Sequence, residues 1–254
     1  MRIVLLTQDE PFYLAKNIDY LAKNLPENTQ IVAAVLFDAS PFGKKESFFQ
    51  KIKKTFKVFG MKFFLHYSFK YMAQRFKPKQ KMPYVLKNNK IEEVRLNKSV
   101  NHKDSLEIIK SYTPDLLISI AGNQIFKKQL IQLAPKGCLN LHTALLPKYR
   151  GLMPSFWVLK NNEKETGVSV FFVDEGIDSG PILVQERIAI EDMTQEQLIE
   201  TSKKVGMNAI IKAIELIRNG NFDLIENPDS EMTYYSFPTR KDVVEFISNG
   251  KHFF

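Results

Sequence analysis

Cysteine is almost missing from this chain: Cys138 is the one thiol in 254 residues, which excludes an internal disulfide framework and suits a reducing compartment. Its apolar neighbours make it a small buried strand residue. Histidine is also scarce, with His66, His102, His142 and His252 dispersed along the chain; no zinc-ligand spacing occurs and no metal is expected. No uncharged apolar run is long enough to span a bilayer, so no transmembrane segment is expected. The opening, MRIVLLTQDEPF, has a short apolar run, meets acidic residues early and lacks a small-residue cleavage site. It reads as a first strand and not as a signal peptide, and a cytoplasmic protein is expected.

Acidic side chains are missing from one region in particular. Between Lys44 and Lys81 twelve Lys or Arg residues stand against one Glu, a local +11 inside an overall +8, leaving about −3 for the rest. The basicity that would suggest nucleic-acid binding therefore belongs to one segment, about 41–82. That segment interleaves Phe and Tyr with Lys, with apolar residues three or four apart. One or two helices covering the domain with a wet basic face account for it. A dimer hairpin, contact with anionic lipid or with a nucleotide- or lipid-linked sugar, and contact with RNA phosphates are the other readings. Contact with DNA is not expected.

Elsewhere short β-branched runs alternate with longer amphipathic ones. Strands are expected over 2–7, 31–37, 90–97, 115–121, 137–142, 166–174 and 181–190, and helices over 12–25, 101–112, 124–133, 154–162 and 194–219. This βα rhythm predicts a Rossmann-like α/β fold: a mostly parallel sheet with helices on both faces. Residues 1–220 read as one domain carrying the basic insert, and 221–254 as a short extension of strand or loop with a short helix. In such sheets the site lies beyond the carboxyl ends of the strands, where strand order reverses.

At one such end lies LNLHTALLPKYRG, residues 139–151. Asn140 and His142 alternate with Leu141 at the strand period, so the amide and imidazole share one side while Leu141 enters the core. Taken alone, a polar pair satisfied by its neighbours is the more frequent arrangement. A second polar break, VDEGIDSG at 173–180, shifts the balance: two glycines bracket Ile177 and Asp178 in a tight loop. Trp157, among Leu152, Met153 and Leu159, reads as packing.

The pair NxH followed by LLPKYRG, and then DEGIDSG, resembles the formyltransferases that use 10-formyltetrahydrofolate: the methionyl-tRNA, glycinamide ribonucleotide and sugar-nucleotide enzymes. The resemblance is strong over 121–190 and implies a formyltransferase fold with a catalytic trio on Asn140, His142 and Asp178. It also implies 10-formyltetrahydrofolate as co-substrate, seated between the turn carrying Ala121, Gly122, Gln124 and Ile125 and the loop carrying Asp174, Glu175, Gly176 and Ile177. Arg150 and Tyr149 are candidates for substrate contact, although a lone Arg on a turn is more often solvated. Relatives commonly carry Ser where this chain has Ala144. The glycine-rich loop with which glycinamide ribonucleotide enzymes hold phosphate is replaced here by TQDEPF.

The resemblance leaves the amine acceptor open. Methionyl-tRNA formyltransferases carry a further β-barrel, for which the residues after 219 are too few. A nucleotide-linked amino sugar is therefore the expected acceptor, with tRNA disfavoured. Formyl-folate hydrolysis and a non-catalytic folate-binding protein are the remaining alternatives.

Overall fold

A computed structural model describes residues 1–37 and 47–254; residues 41–46, the start of the expected basic insert, lie outside the described part. The central sheet has seven strands: β1 (Arg2–Gln8), β2 (Gln30–Phe37), β3 (Glu92–Val94), β4 (Leu116–Ile120), β5 (Cys138–His142), β7 (Glu165–Phe172) and β8 (Ile182–Ala189). Their order is β3-β2-β1-β4-β5-β7-β8. The first five are parallel, whereas β7 runs antiparallel to β5 and β8 to β7. The chain winds outward from β1 toward β3, then returns to add β4 on the other side, so strand order reverses between β1 and β4.

The strand composition follows from burial on two faces. Ile3 and Leu5 enter one core layer and Val4 and Leu6 the other, all fully buried, as a parallel sheet covered on both sides requires. On the larger face lie α1 (Leu14–Lys23), α4 (Met82–Asn88), α7 (Pro154–Lys160), α8 (Gln195–Asn219) and α9 (Arg240–Ser248). The opposite face is covered by α5 (Lys103–Ser111) and the short α6 (Lys128–Ile131). Helix α8 starts at a capping box, with Thr194 accepting from the Gln197 N–H while Gln197 accepts from the Thr194 N–H, and stops at Gly220 in the left-handed region.

The basic segment forms two helices, α2 (Phe48–Phe59) and α3 (Met61–Arg75), joined at Gly60. The inner residues Phe59 and Phe63 stack with ring centroids 4.4 Å apart and meet Phe253 edge-on. Residues 221–254 fold back onto the domain. A two-residue strand β9 (Tyr234–Tyr235) pairs with β6 (Arg150–Gly151), and Phe246 of α9 stacks on Phe156 of α7 at 5.0 Å.

One expected element is largely absent. The helical spacing of 124–133 yields only α6, because 122–127 is drawn out against the loop before α5. Gln124 Oε1 accepts from the Val100 N–H, and the Asn101 side chain donates to the Ile125 carbonyl and accepts from the Lys127 N–H. Those bonds compete with the helical ones for the same backbone groups.

Candidate active site

The carboxyl ends of β4 and β5 and the loop after β7 surround a cavity of about 490 Å³. Asn140, His142 and Asp178 all line it. Cys138, at the other end of β5, is fully buried, and burial pushes its thiol up to about 12. One residue before the end of the strand Leu141 packs beneath α8, where Gly206 permits close approach: a Cβ there would come within 2.7 Å of the Leu141 side chain. Asn140 and His142 flank Leu141 and face the cavity, as their period-two spacing requires.

His142 is held by two partners. Its Nε2 lies 2.8 Å from the Tyr149 carbonyl oxygen; a carbonyl only accepts, so Nε2 carries a proton. Its Nδ1 lies 3.5 Å from Asp178 Oδ2. The same Oδ2 accepts from the Gly151 N–H at 2.9 Å. Asp178 adopts a left-handed backbone, φ 51°, a conformation that short polar side chains tolerate. Asn227 donates to the carbonyls of Asp178 and Gly180 and so pins the loop from the C-terminal segment. Asn140 is half-buried, and its amide makes no hydrogen bond with any described residue.

Two loops form the other walls. Ala121, Gly122, Gln124 and Ile125 line one side, with Ala121 left-handed at φ 56°. A Cβ at Gly122 would lie 2.5 Å from Ser119 Oγ, so the backbone there runs close to β4. Asp174, Gly176 and Ile177 line the other side, where Asp174 Oδ1 accepts from the Gly176 N–H and the Ser179 hydroxyl. Glu175 is exposed and lies outside the cavity wall.

Tyr149 and Arg150 do not reach the cavity through their side chains. The Tyr149 hydroxyl donates to Glu163 at 2.6 Å, and burial, then that carboxylate, push it above the usual phenol range. Arg150 is not solvated: it is 3% exposed. Its guanidinium donates to the Asn227 carbonyl and side-chain oxygens and pairs with Asp229 at 2.7 Å. The KYRG turn thus contributes a carbonyl to His142 and an N–H to Asp178, while its side chains clamp the C-terminal segment. Trp157 is packing, with its indole N–H on the Ser236 carbonyl.

The cavity also contains residues that local motifs do not reveal. Lys203 of α8 and Phe237 before α9 both line it. Lys203 has no ion pair among the described residues, and burial of its ammonium depresses its proton affinity, opposed by the charge of Glu10. Glu10 itself is committed elsewhere, its carboxylate accepting from the N–H groups of Phe12, Tyr13 and Leu14 at the start of α1. A carboxylate of the chain therefore occupies the amides that a phosphate-binding loop at this position would leave free.

The profile of the formyl transferase family matches residues 1–214, and the chain belongs to that family. Methionyl-tRNA formyltransferase from Kosmotoga olearia is 40% identical over 163 residues, covering 62% of this chain and 51% of that protein. The chain spans about half the length of the curated relatives it matches. Among solved structures, a sugar N-formyltransferase from a Shewanella species superposes with a TM-score of 0.61 at 16% identity, over 99% of this chain and 89% of that one. An N-formyltransferase from Helicobacter canadensis, in complex with folinic acid and dTDP-3-aminofucose, gives 0.58 at 19% identity over 95% and 72%. At these identities the superpositions establish the fold.

Proposed function

We propose that this protein transfers the formyl group of 10-formyltetrahydrofolate to a primary amine, and that the amine belongs to a sugar carried on a nucleotide. The observation that carries the reading is the convergence of Asn140, His142 and Asp178 on one cavity beyond the carboxyl ends of β4 and β5. In this reaction the amine nitrogen bonds to the formyl carbon, the carbon–N10 bond breaks, and a proton passes from the attacking nitrogen to the departing one. Negative charge builds on the formyl oxygen before that bond breaks. The unengaged amide of Asn140 is suited to donate to it, a contribution of about 3–4 kcal/mol for one good donor.

The hydrogen bonds of His142 narrow the proton route. With Nε2–H committed to Tyr149, only Nδ1 is free to exchange a proton with the site. A proton taken up there lies opposite the Asp178 carboxylate, which the Gly151 N–H orients. The close-running backbone at Ala121–Ile125 and the turn at Asp174–Ile177 suit a flat heteroaromatic ring between them, the seat assigned to the co-substrate.

The acceptor reading rests on the rest of the cavity. Lys203 offers a cation with no ion pair among the described residues for an anionic group, and Phe237 an aromatic face for a sugar or base. Glu10 at the amides of α1 argues against a phosphate held there in the manner of glycinamide ribonucleotide enzymes. A second reading, formylation of methionyl-tRNA, is supported by the 40% identity to an enzyme of that name and by the basic face of α2 and α3. Incubation with 10-formyltetrahydrofolate and either nucleotide-linked amino sugars or charged initiator tRNA separates them by mass: the formylated product is about 28 mass units heavier. Turnover of the tRNA and of no amino sugar would replace the first reading by the second. Formate release without any acceptor would indicate hydrolysis.

A further inference from the structure

We propose that the outer face of α3 docks on an anionic lipid surface. Met61, Leu65, Phe69, Met72 and Phe76 follow one another at spacings of four, four, three and four residues, which places them on one stripe of the helix. All five are large and apolar, and they are 56 to 85% exposed. The helix is not short of apolar contacts on its other side: Phe63 and Tyr67 pack together there, Phe63 against Phe59 and Phe253, and Lys70 pairs with Glu196. An outward apolar stripe in addition to a packed inward one is left uncovered by the described residues, whereas a helix apolar all round is ordinarily buried. Contiguous exposed apolar surface of this kind marks an interaction site.

Charge identifies the occupant. Residues 47–81 contain ten Lys or Arg and no Asp or Glu. Arg75, Lys77, Lys79 and Lys81 cluster at the C-terminal end of the stripe, are exposed, and have no ion-pair partner among the described residues. Two copies meeting through this face about a two-fold axis would set like charges against each other. An RNA would neutralise the charge, but it would leave Met61, Leu65 and Met72 facing water, since base stacking uses aromatic faces. An anionic bilayer satisfies both features, with the apolar stripe in the headgroup boundary and the lysines at the lipid charges. No helix among the described residues is long and apolar enough to cross a membrane, so the contact is peripheral. The docking helices reach the cavity through packed aromatics: Phe59 meets Phe237 edge-on at 5.9 Å, and Phe237 lines the cavity wall.

Flotation of the full chain with vesicles tests the assignment without reference to the acceptor. Vesicles of phosphatidylcholine with phosphatidylglycerol should retain the protein at least about tenfold more tightly than phosphatidylcholine alone, with retention falling as salt rises. Leu65→Ser, Phe69→Ser and Phe76→Ser together should abolish retention while melting temperature is kept, since all three positions are exposed. Lys77→Gln, Lys79→Gln and Lys81→Gln should weaken retention and flatten its salt dependence. Equal retention on neutral vesicles, or retention unchanged in the triple serine variant, would overturn the proposal. So would a dimer in light scattering that the serine variant dissolves, or RNA binding that it abolishes in the absence of vesicle binding.

Discussion

Nδ1 of His142 stands 3.5 Å from Oδ2 of Asp178, while its Nε2 is bonded at 2.8 Å to the Tyr149 carbonyl. The imidazole is thereby oriented from both ends, and Nδ1 is the ring nitrogen not bonded to the backbone. Asp178 comes from a loop 36 residues further along the chain, and it reaches the ring because Gly151 N–H and Asn227 fix both its carboxylate and its backbone.

Asp178→Asn preserves size and leaves an oxygen to accept from Gly151, but it removes the charge opposite Nδ1. The expected loss is about 10²–10³-fold in kcat with KM little changed, as for removal of an acid–base partner. Steady-state formyl transfer together with the melting temperature measures this. A variant with near-normal kcat would remove Asp178 from the proton route.

Asn140→Ala deletes the amide assigned to the formyl oxygen. Because that amide makes no bond with the described residues, folding should be nearly unaffected, while kcat falls about 10²–10³-fold. Binding of a non-reactive folate analogue, followed by calorimetry, should stay close to that of the unmodified protein. Loss of folding instead would mean that Asn140 serves the core.

Much of the fold was written in local pattern. The strands announce themselves as short apolar runs because residues such as Ile3 to Leu6 are buried on both sides of the sheet, and Asn140 and His142 stand out because they interrupt such a run. The part that was not legible depends on partners far away in sequence. The spacing of 124–133 is helical, yet Gln124 and Ile125 answer to Val100 and Asn101. Arg150 looks like a surface residue until Asn227 and Asp229 fold across it. Lys203 and Phe237 lie on elements whose only local signals are those of a helix and a tail.

Arg150→Met keeps the apolar stem and removes the guanidinium. The bond to Asp229 contributes little, because that carboxylate is largely exposed. The bonds to Asn227 are part-buried and made by an Arg that is itself enclosed, so the variant should lose about 2 kcal/mol of stability. Asn227 also holds the Asp178 loop, so kcat should fall with it, whereas Asp229→Ala should leave kcat close to normal. Thermal melts beside initial rates distinguish this clamp from a substrate contact, for which KM would rise and stability would not change.

Lys203 gives a pH signature whose sign follows from its environment. Burial lowers its proton affinity in the folded state, while the unfolded chain keeps the ordinary value of 10.5. Below the depressed folded value both states hold the proton, and the folded state bears the full penalty of an enclosed cation. Between that value and 10.5 the unfolded state binds more protons, so stability rises with pH across this window. Lys203→Met removes the penalty: the variant should be more stable than the unmodified protein by ~1 kcal/mol near neutrality, and the gain should vanish as pH approaches 10.5. If the ammonium also receives an anionic acceptor, the same variant should show a raised acceptor KM, with kcat at saturation and folate affinity retained. Denaturant titrations at several pH values read the first effect and initial rates the second. A neutral-pH destabilisation with unchanged KM would make Lys203 a packing residue.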